Sequence, residues 1–65
     1  MIKPKYYKGQ DNLLYKGKYG AKIIIEGSQD KEGISYGIIY RNEEDNLIHQ
    51  FVGEDTLKEV GGEGN

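Results

Sequence analysis

The chain has 65 residues, a net charge of −2 and no cysteine. A chain of this length forms one small domain that buries only about 60% of the surface its unfolded form exposes. The lack of cysteine excludes disulfides and thiolate metal sites, and it fits a reducing cytoplasm. The longest apolar run, residues 23–25, is far below the ~20 residues of a membrane span, and we expect no secretory signal.

Charge is distributed unevenly along the chain. Residues 1–22 contain six lysines and one aspartate, a net charge of +5, together with four tyrosines. Residues 23–65 contain three basic residues against ten acidic ones, a net charge of −7. Such asymmetry indicates a polar interaction surface.

The first half of the chain predicts short strands, because its runs are rich in isoleucine and tyrosine. "KPKYYKG" predicts a first strand with Pro4 near its beginning, where a missing N–H is tolerated. "GQDN" predicts a turn, "LLYK" a short strand and "GKYG" a tight bend. "AKIIIE" predicts a strand with Ile23 and Ile25 on one face and Ile24 on the other.

The second half predicts a hairpin and a closing turn. "GSQDKEG" is typical of a loop, and "NEEDN" of a polar turn between the strands "ISYGIIYR" and "LIHQFV". "GEDTLKEV" predicts one helical turn capped by Asp55, followed by a last short strand. "GGEGN", residues 61–65, is predicted to be a disordered tail.

We therefore predict an all-β fold, with residues 1–60 forming one domain of five to six short strands. So few strands bury a core best by bending into a sheet that closes on itself. Tyr36 or Phe51 should close one end of this core. The other predicted core residues are aliphatic: Leu14, Ile23, Ile25, Ile38, Ile48, Val52 and Leu57.

The stretches "KYGAKIIIEG", "YGIIY" and "HQFVGEDTLKEV" together resemble the SH3-like small barrels of bacteria and their phages. The resemblance covers roughly residues 18–60 and ends on Val52, Glu54, Asp55 and Leu57, a closing helical turn. It implies a small SH3-like barrel and a habit of binding other molecules, not an activity. The small size is also similar to that of phage and prophage accessory proteins.

This chain departs from the SH3-like pattern in ways that limit what the resemblance implies. Ala21 stands where an acidic residue usually follows the first glycine, and the chain has no tryptophan. The proline-binding "ALYDY" motif of signalling SH3 domains is missing, so binding of proline-rich ligands is not implied.

Catalytic and metal-binding patterns are weak. His49 is the only histidine and lies in a strand pattern, without the partners that a catalytic triad requires. The acidic run Glu43, Glu44 and Asp45 lacks the alternating ligands and turn glycine of a calcium loop. We expect no enzyme, no cofactor and no metal site.

The basic, tyrosine-rich start of the chain is the one functional lead, and it has three interpretations. In the first, the segment is ordinary solvent-exposed strand surface. In the second, it is a tyrosine-rich face that binds an acidic protein partner. In the third, it is a surface that binds single-stranded nucleic acid. One arginine and a pI near 5.3 weigh against nucleic acid. We expect a non-enzymatic domain that binds a protein partner, with nucleic acid as the alternative ligand. The predicted binding residues are Lys5, Tyr6, Tyr7, Tyr15, Lys16, Lys18 and Tyr19.

Overall fold

A computed structural model of the chain describes residues 3–61 and contains one antiparallel sheet of five strands. The strands are β1 (Leu13–Tyr15), β2 (Tyr19–Asp30), β3 (Gly33–Arg41), β4 (Leu47–Gly53) and β5 (Leu57–Glu59). A 3-10 turn, Glu54–Thr56, separates β4 from β5, and no α-helix occurs in residues 3–61. The prediction of an all-β fold with a helical turn near the C-terminus is confirmed. Within that range, no helix has the length and apolarity to span a membrane.

The sheet is open, with the strand order β4-β3-β2-β1-β5. Strands β1, β2 and β3 each pair with the next strand along the chain, and β5 returns to pair with β1. Strands β4 and β5 are therefore its two edges. Strand β2 shifts register twice against β3, and bulges of this kind bend a strand and increase its twist.

The turn between β1 and β2 shows why this hairpin forms. Lys16 and Gly17 both have positive φ, 58° and 69°, and the Lys18 N–H donates to the Tyr15 carbonyl at 3.1 Å. Two successive residues with positive φ make the turn whose twist matches that of antiparallel strands. The hairpin places Tyr15 opposite Tyr19, so a tight bend occurs here, but it lies at residues 16–18, and residues 19 and 20 of the predicted bend belong to β2.

Strand β2 continues much further than its composition suggests. Residues 27–30, part of the predicted loop, belong to β2, residues 28–30 pair with β3, and only Lys31 and Glu32 separate the two strands. Gly27 is needed here because the sheet packs tightly on this position. A Cβ at Gly27 would lie 2.8 Å from a ring carbon of Tyr36 and 2.9 Å from the Cβ of Pro4.

The N-terminal segment, residues 3–12, is not the predicted first strand. Gly9 has a φ of 96°, which interrupts an extended backbone. The segment still follows the sheet, since the Gly9 N–H donates to the Ile23 carbonyl at 2.8 Å and the Ile23 N–H donates to Gln10 at 2.9 Å. It therefore covers one side of the core.

The core confirms the predicted residues Ile23, Ile38, Val52 and Leu57, and of the two alternatives for closing one end, Tyr36 is the buried one. Three other predicted residues, Leu14, Ile25 and Ile48, are not in the core. Leu14 and Ile48 are only partly buried, while Ile25 and Phe51 are exposed. Leu13 is buried in place of Leu14, because the inward-facing residues of β1 are Leu13 and Tyr15. Ile25 leaves the core because Ile24 is an extra residue: Ile23 pairs with Ile38, and Ile25 with the adjacent Gly37. The remaining core residues are Tyr6, Leu13, Tyr15, Ala21 and Ile34.

Two further predictions concern the C-terminal part of the chain. The helical turn begins at Glu54 with Gly53 before it, not at Asp55 as an N-cap, and the Thr56 hydroxyl donates to the Gly53 carbonyl at 2.7 Å. The predicted disordered tail, residues 61–65, lies outside the described residues from position 62 onwards.

Candidate functional site

The structure divides the seven predicted binding residues between surface and core. Tyr6 and Tyr15 are core residues, 6% and 5% exposed, so their rings offer little surface to a partner. This corrects the expectation that all four tyrosines form one face. The other five residues reach solvent to different degrees: Lys5, Tyr7, Lys16 and Lys18 are exposed, and Tyr19 is half-buried.

Tyr6 is held by a hydrogen-bond network around the hydroxyl of Tyr36. This hydroxyl accepts the backbone N–H groups of Lys5 at 2.8 Å and Tyr6 at 3.1 Å, and it donates to the Glu54 carboxylate at 2.6 Å. The same carboxylate accepts the Lys5 N–H at 3.0 Å. Main-chain donors must be satisfied where they are buried, so this network serves to attach the N-terminal segment to the 3-10 turn.

The network also changes the acid–base properties of its members. The hydrogen bond from Tyr36, with the backbone N–H and charge of Lys5, holds the pKa of Glu54 below its ordinary value despite some desolvation. Burial, together with the hydrogen bond to Glu54, raises the pKa of Tyr36 above its ordinary value. The site is therefore most stable with Glu54 ionised and Tyr36 neutral.

We predict that acidification destabilises the protein in part by protonating Glu54. Because folding lowers this pKa, the stabilisation is present above about pH 4.3, the ordinary glutamate pKa, and is lost as pH falls through the folded-state value. Thermal melts of the parent and of Glu54→Gln, recorded from neutral pH to about pH 3 across this range, should show the parent losing more stability on acidification. Parallel melting curves at every pH would contradict this assignment.

A second tyrosine cluster lies at the end of the sheet that contains the β1–β2 turn. The rings of Tyr15 and Tyr19 pack on Tyr40, with centroids 4.9 Å and 5.2 Å apart. The ammonium groups of Lys16 and Lys18 lie 5.3 Å and 5.2 Å from the centroids of the Tyr15 and Tyr19 rings. These cation–π contacts occupy ring surface that a ligand would need.

The lysines of the N-terminal stretch do not form one continuous basic face. Lys18 forms an ion pair with Glu43. The backbones of Lys5 and Lys16 contact opposite ends of the 3-10 turn. The backbone N–H of Lys5 donates to the Glu54 carboxylate at 3.0 Å, and the backbone N–H of Lys16 donates to the Thr56 carbonyl at 2.8 Å. Acidic groups therefore lie among the lysines, which weakens the field that phosphate binding needs.

Three exposed apolar side chains lie elsewhere, on the outer face of the sheet formed by β2, β3 and β4. Phe51, Leu47 and Ile25 are 65%, 50% and 46% exposed. Leu47 and Phe51 share a face of β4 with His49 because side chains alternate along a strand. Phe51 pairs across the sheet with Gly37, which in turn pairs with Ile25, so an apolar row crosses three strands.

Gly37 makes this apolar row continuous. A Cβ at Gly37 would lie only 2.7 Å from the Cβ of Ile25, so the Ile25 side chain occupies the space above the glycine. A shallow groove of about 290 Å³ follows, lined on this face by Ile24, Ile25, His49 and Phe51. We define the outer apolar face as Ile24, Ile25, Leu47, His49 and Phe51.

Phe51 also borders an acidic cleft of about 650 Å³ between the β2–β3 turn and the 3-10 turn. Its charged lining residues are Glu32, Glu54 and Asp55, and no lysine or arginine lines it. The cleft therefore combines negative charge with an aromatic edge.

Residues 3–61 contain no group of three histidine, cysteine or acidic side chains that could hold a metal ion. Comparison of the chain with protein-family models, with curated proteins and with solved structures finds no match. The resemblance to SH3-like barrels therefore stays a prediction.

Proposed function

We propose that this protein is a non-enzymatic interaction domain that binds a protein partner, and that its contact surface is the outer apolar face. The supporting observation is the exposed row of Ile25 and Phe51, with Leu47 on the same face. Contiguous exposed apolar side chains are costly in water and mark interaction sites in small monomeric proteins.

Phe51 is the natural anchor of this surface. Interface energy is concentrated in a few large side chains, aromatic ones above all, that are surrounded by weaker contacts. The ring of Phe51 is 65% exposed and lies beside the groove formed with Ile24 and Ile25, so a partner could bury it from two sides. His49, on the same strand face, adds a polar group beside it.

The N-terminal stretch offers a weaker surface than its composition suggests. Tyr6 and Tyr15 support the core, and Lys18 is paired with Glu43. Tyr7 remains as an isolated exposed ring, 66% exposed. The lysines are interspersed with acidic groups, which weakens phosphate binding and so favours a protein partner over nucleic acid.

Phe51 and Tyr7 form a matched pair for testing this proposal, because their rings are almost equally exposed. In affinity capture from host extract, Phe51→Ser should lose the captured protein, while Tyr7→Ser should retain it. A parallel sample treated with nuclease tests the alternative ligand. Capture that survives in Phe51→Ser but fails in Tyr7→Ser, or that disappears on nuclease treatment, would overturn the proposal.

A further inference from the structure

Strand β4 is an unprotected sheet edge. It pairs only with β3, and its other side forms no main-chain hydrogen bond within residues 3–61. Its residues, LIHQFVG, include no aspartate, glutamate, lysine, arginine or proline over the seven positions of Leu47–Gly53. Natural sheet edges usually carry such residues to prevent pairing with another chain. The edge of β4 is therefore open to an additional strand.

The outer apolar face specifies the side chains that such a strand needs. A strand paired to β4 places alternate side chains on the same face of the sheet as Phe51 and Leu47. Apolar residues at those positions would cover the Phe51 ring and extend the row that Ile25 begins. The added strand should thus have apolar residues at every second position.

Charges around β4 specify one end of that strand. The C-terminal end of β4 opens into the acidic cleft of Glu32, Glu54 and Asp55. The N-terminal end of β4 has mixed charge, because Arg41 pairs with Leu47 and forms an ion pair with Asp45. A strand with lysine or arginine at the end that enters the acidic cleft matches this surface, because complementary charges both steer binding and exclude wrong partners.

A second copy of this chain fits the edge poorly. Antiparallel pairing of two β4 strands centred on Gln50 would bring Glu44 and Asp45, of which only Asp45 is paired with a basic side chain, Arg41, near Asp55 of the other copy. Like charges directly opposite each other destabilise a strand pair.

We propose that β4 binds an extended segment of a partner protein as an added strand, with apolar side chains over Phe51 and Ile25 and a basic side chain in the acidic cleft. This inference rests on the proposed function, since it names the kind of segment that the outer apolar face would bind. Main-chain hydrogen bonds would supply affinity, and the alternating side chains and the basic end would supply specificity.

The test uses two labelled synthetic peptides, Lys-Lys-Val-Thr-Val-Thr-Val-Lys-Lys and its counterpart with glutamate at all four terminal positions. Fluorescence anisotropy should show binding of the lysine peptide and none of the glutamate peptide. On binding, amide exchange should slow in Leu47–Gly53, because the outward N–H groups gain partners. Binding of both peptides would overturn the proposal. So would a slowing of amide exchange that occurs only in residues outside β4.

Matched variants separate the charge from the apolar contribution. Asp55→Lys should weaken binding of the lysine peptide by about tenfold or more, since it places like charges together. Glu59→Lys, the same reversal on the opposite edge strand β5, should have little effect, and Phe51→Ser should abolish binding. Equal effects of the two charge reversals would argue against a basic segment in the cleft.

Other outcomes distinguish the two proposals. Suppose that the parent protein does not bind the lysine peptide but captures a partner from extract that Phe51→Ser does not capture. Then strand addition is wrong, and the outer apolar face remains the contact surface. A concentration-dependent dimer that is lost in Phe51→Ser would identify a second copy as the occupant and overturn strand addition by a partner. If Phe51→Ser affects neither binding nor capture, both proposals fall.

Discussion

Replacing Ile38 with alanine should lower the free energy of unfolding by about 2–5 kcal/mol, the usual cost of truncating a fully buried isoleucine. Ile38 is 0% exposed and lies on the interior strand β3, paired with Ile23 on one side and Gln50 on the other. Small domains are stable by only about 5–15 kcal/mol. The substitution therefore removes a large part of the total stability, and urea denaturation followed by circular dichroism measures it directly.

Ile39→Ala is the matched control, because it removes the same atoms from the next residue of the same strand. Ile39 lies on the opposite face and is only partly buried. Its truncation should cost about 1 kcal/mol or less, in proportion to the smaller apolar area that it buries. Equal costs at the two positions would mean that the register of β3 is shifted by one residue, since such a shift exchanges the faces of the strand.

The alternation in "ISYGIIYR" explains why this part of the fold could be predicted from sequence. Ile34, Tyr36 and Ile38 occur at every second position and are buried, which is the pattern of a strand with one face in the core. The polar turn at residues 42–46 and the helical turn before β5 are also local features. Local residue chemistry was sufficient for each of these elements.

Features that depend on distant contacts could not be predicted in this way. Ile24 becomes an extra residue of β2 only because of how β2 pairs with β3, and this places Ile25 on the surface. Residues 28–30 have the composition of a loop, yet they pair with β3. The sequence shows which residues are present, but it does not show which residue of β2 pairs with which residue of β3.

The candidate site shows the same limit. Clustering of tyrosine and lysine in residues 5–19 indicated a surface, but Tyr6 is buried by Tyr36, thirty positions later in the chain, with ring centroids 5.6 Å apart. Tyr36 and Phe51 are the predicted alternatives for closing one end of the core, and Tyr36 is 0% exposed while Phe51 is 65% exposed. Phe51 faces outward because its neighbour Val52, 6% exposed, faces inward and side chains alternate along a strand.

Tyr36→Phe should release the N-terminal segment while leaving the ring of residue 36 in the core. The substitution removes the acceptor for the backbone N–H of Tyr6, a buried hydrogen bond of 3.1 Å, and one of two acceptors for the N–H of Lys5. It also removes the donor to Glu54 at 2.6 Å. Leaving a buried donor without a partner costs about 1–3 kcal/mol, and in a domain of this size each kcal/mol lowers Tm by about 4–8 °C.

The matched control is Tyr40→Phe, which also removes one hydroxyl but loses only an exposed hydrogen bond to Gln50 at 3.0 Å. It should change stability by about 0.5 kcal/mol or less, as surface substitutions do. Amide exchange separates a local release from a general loss of stability, because only Tyr36→Phe should accelerate exchange at Lys5 and Tyr6 more than in β3. If exchange at these two amides stays unchanged, then the packing of Tyr6 and the hydrogen bond from Gly9 to Ile23 hold the segment without Tyr36.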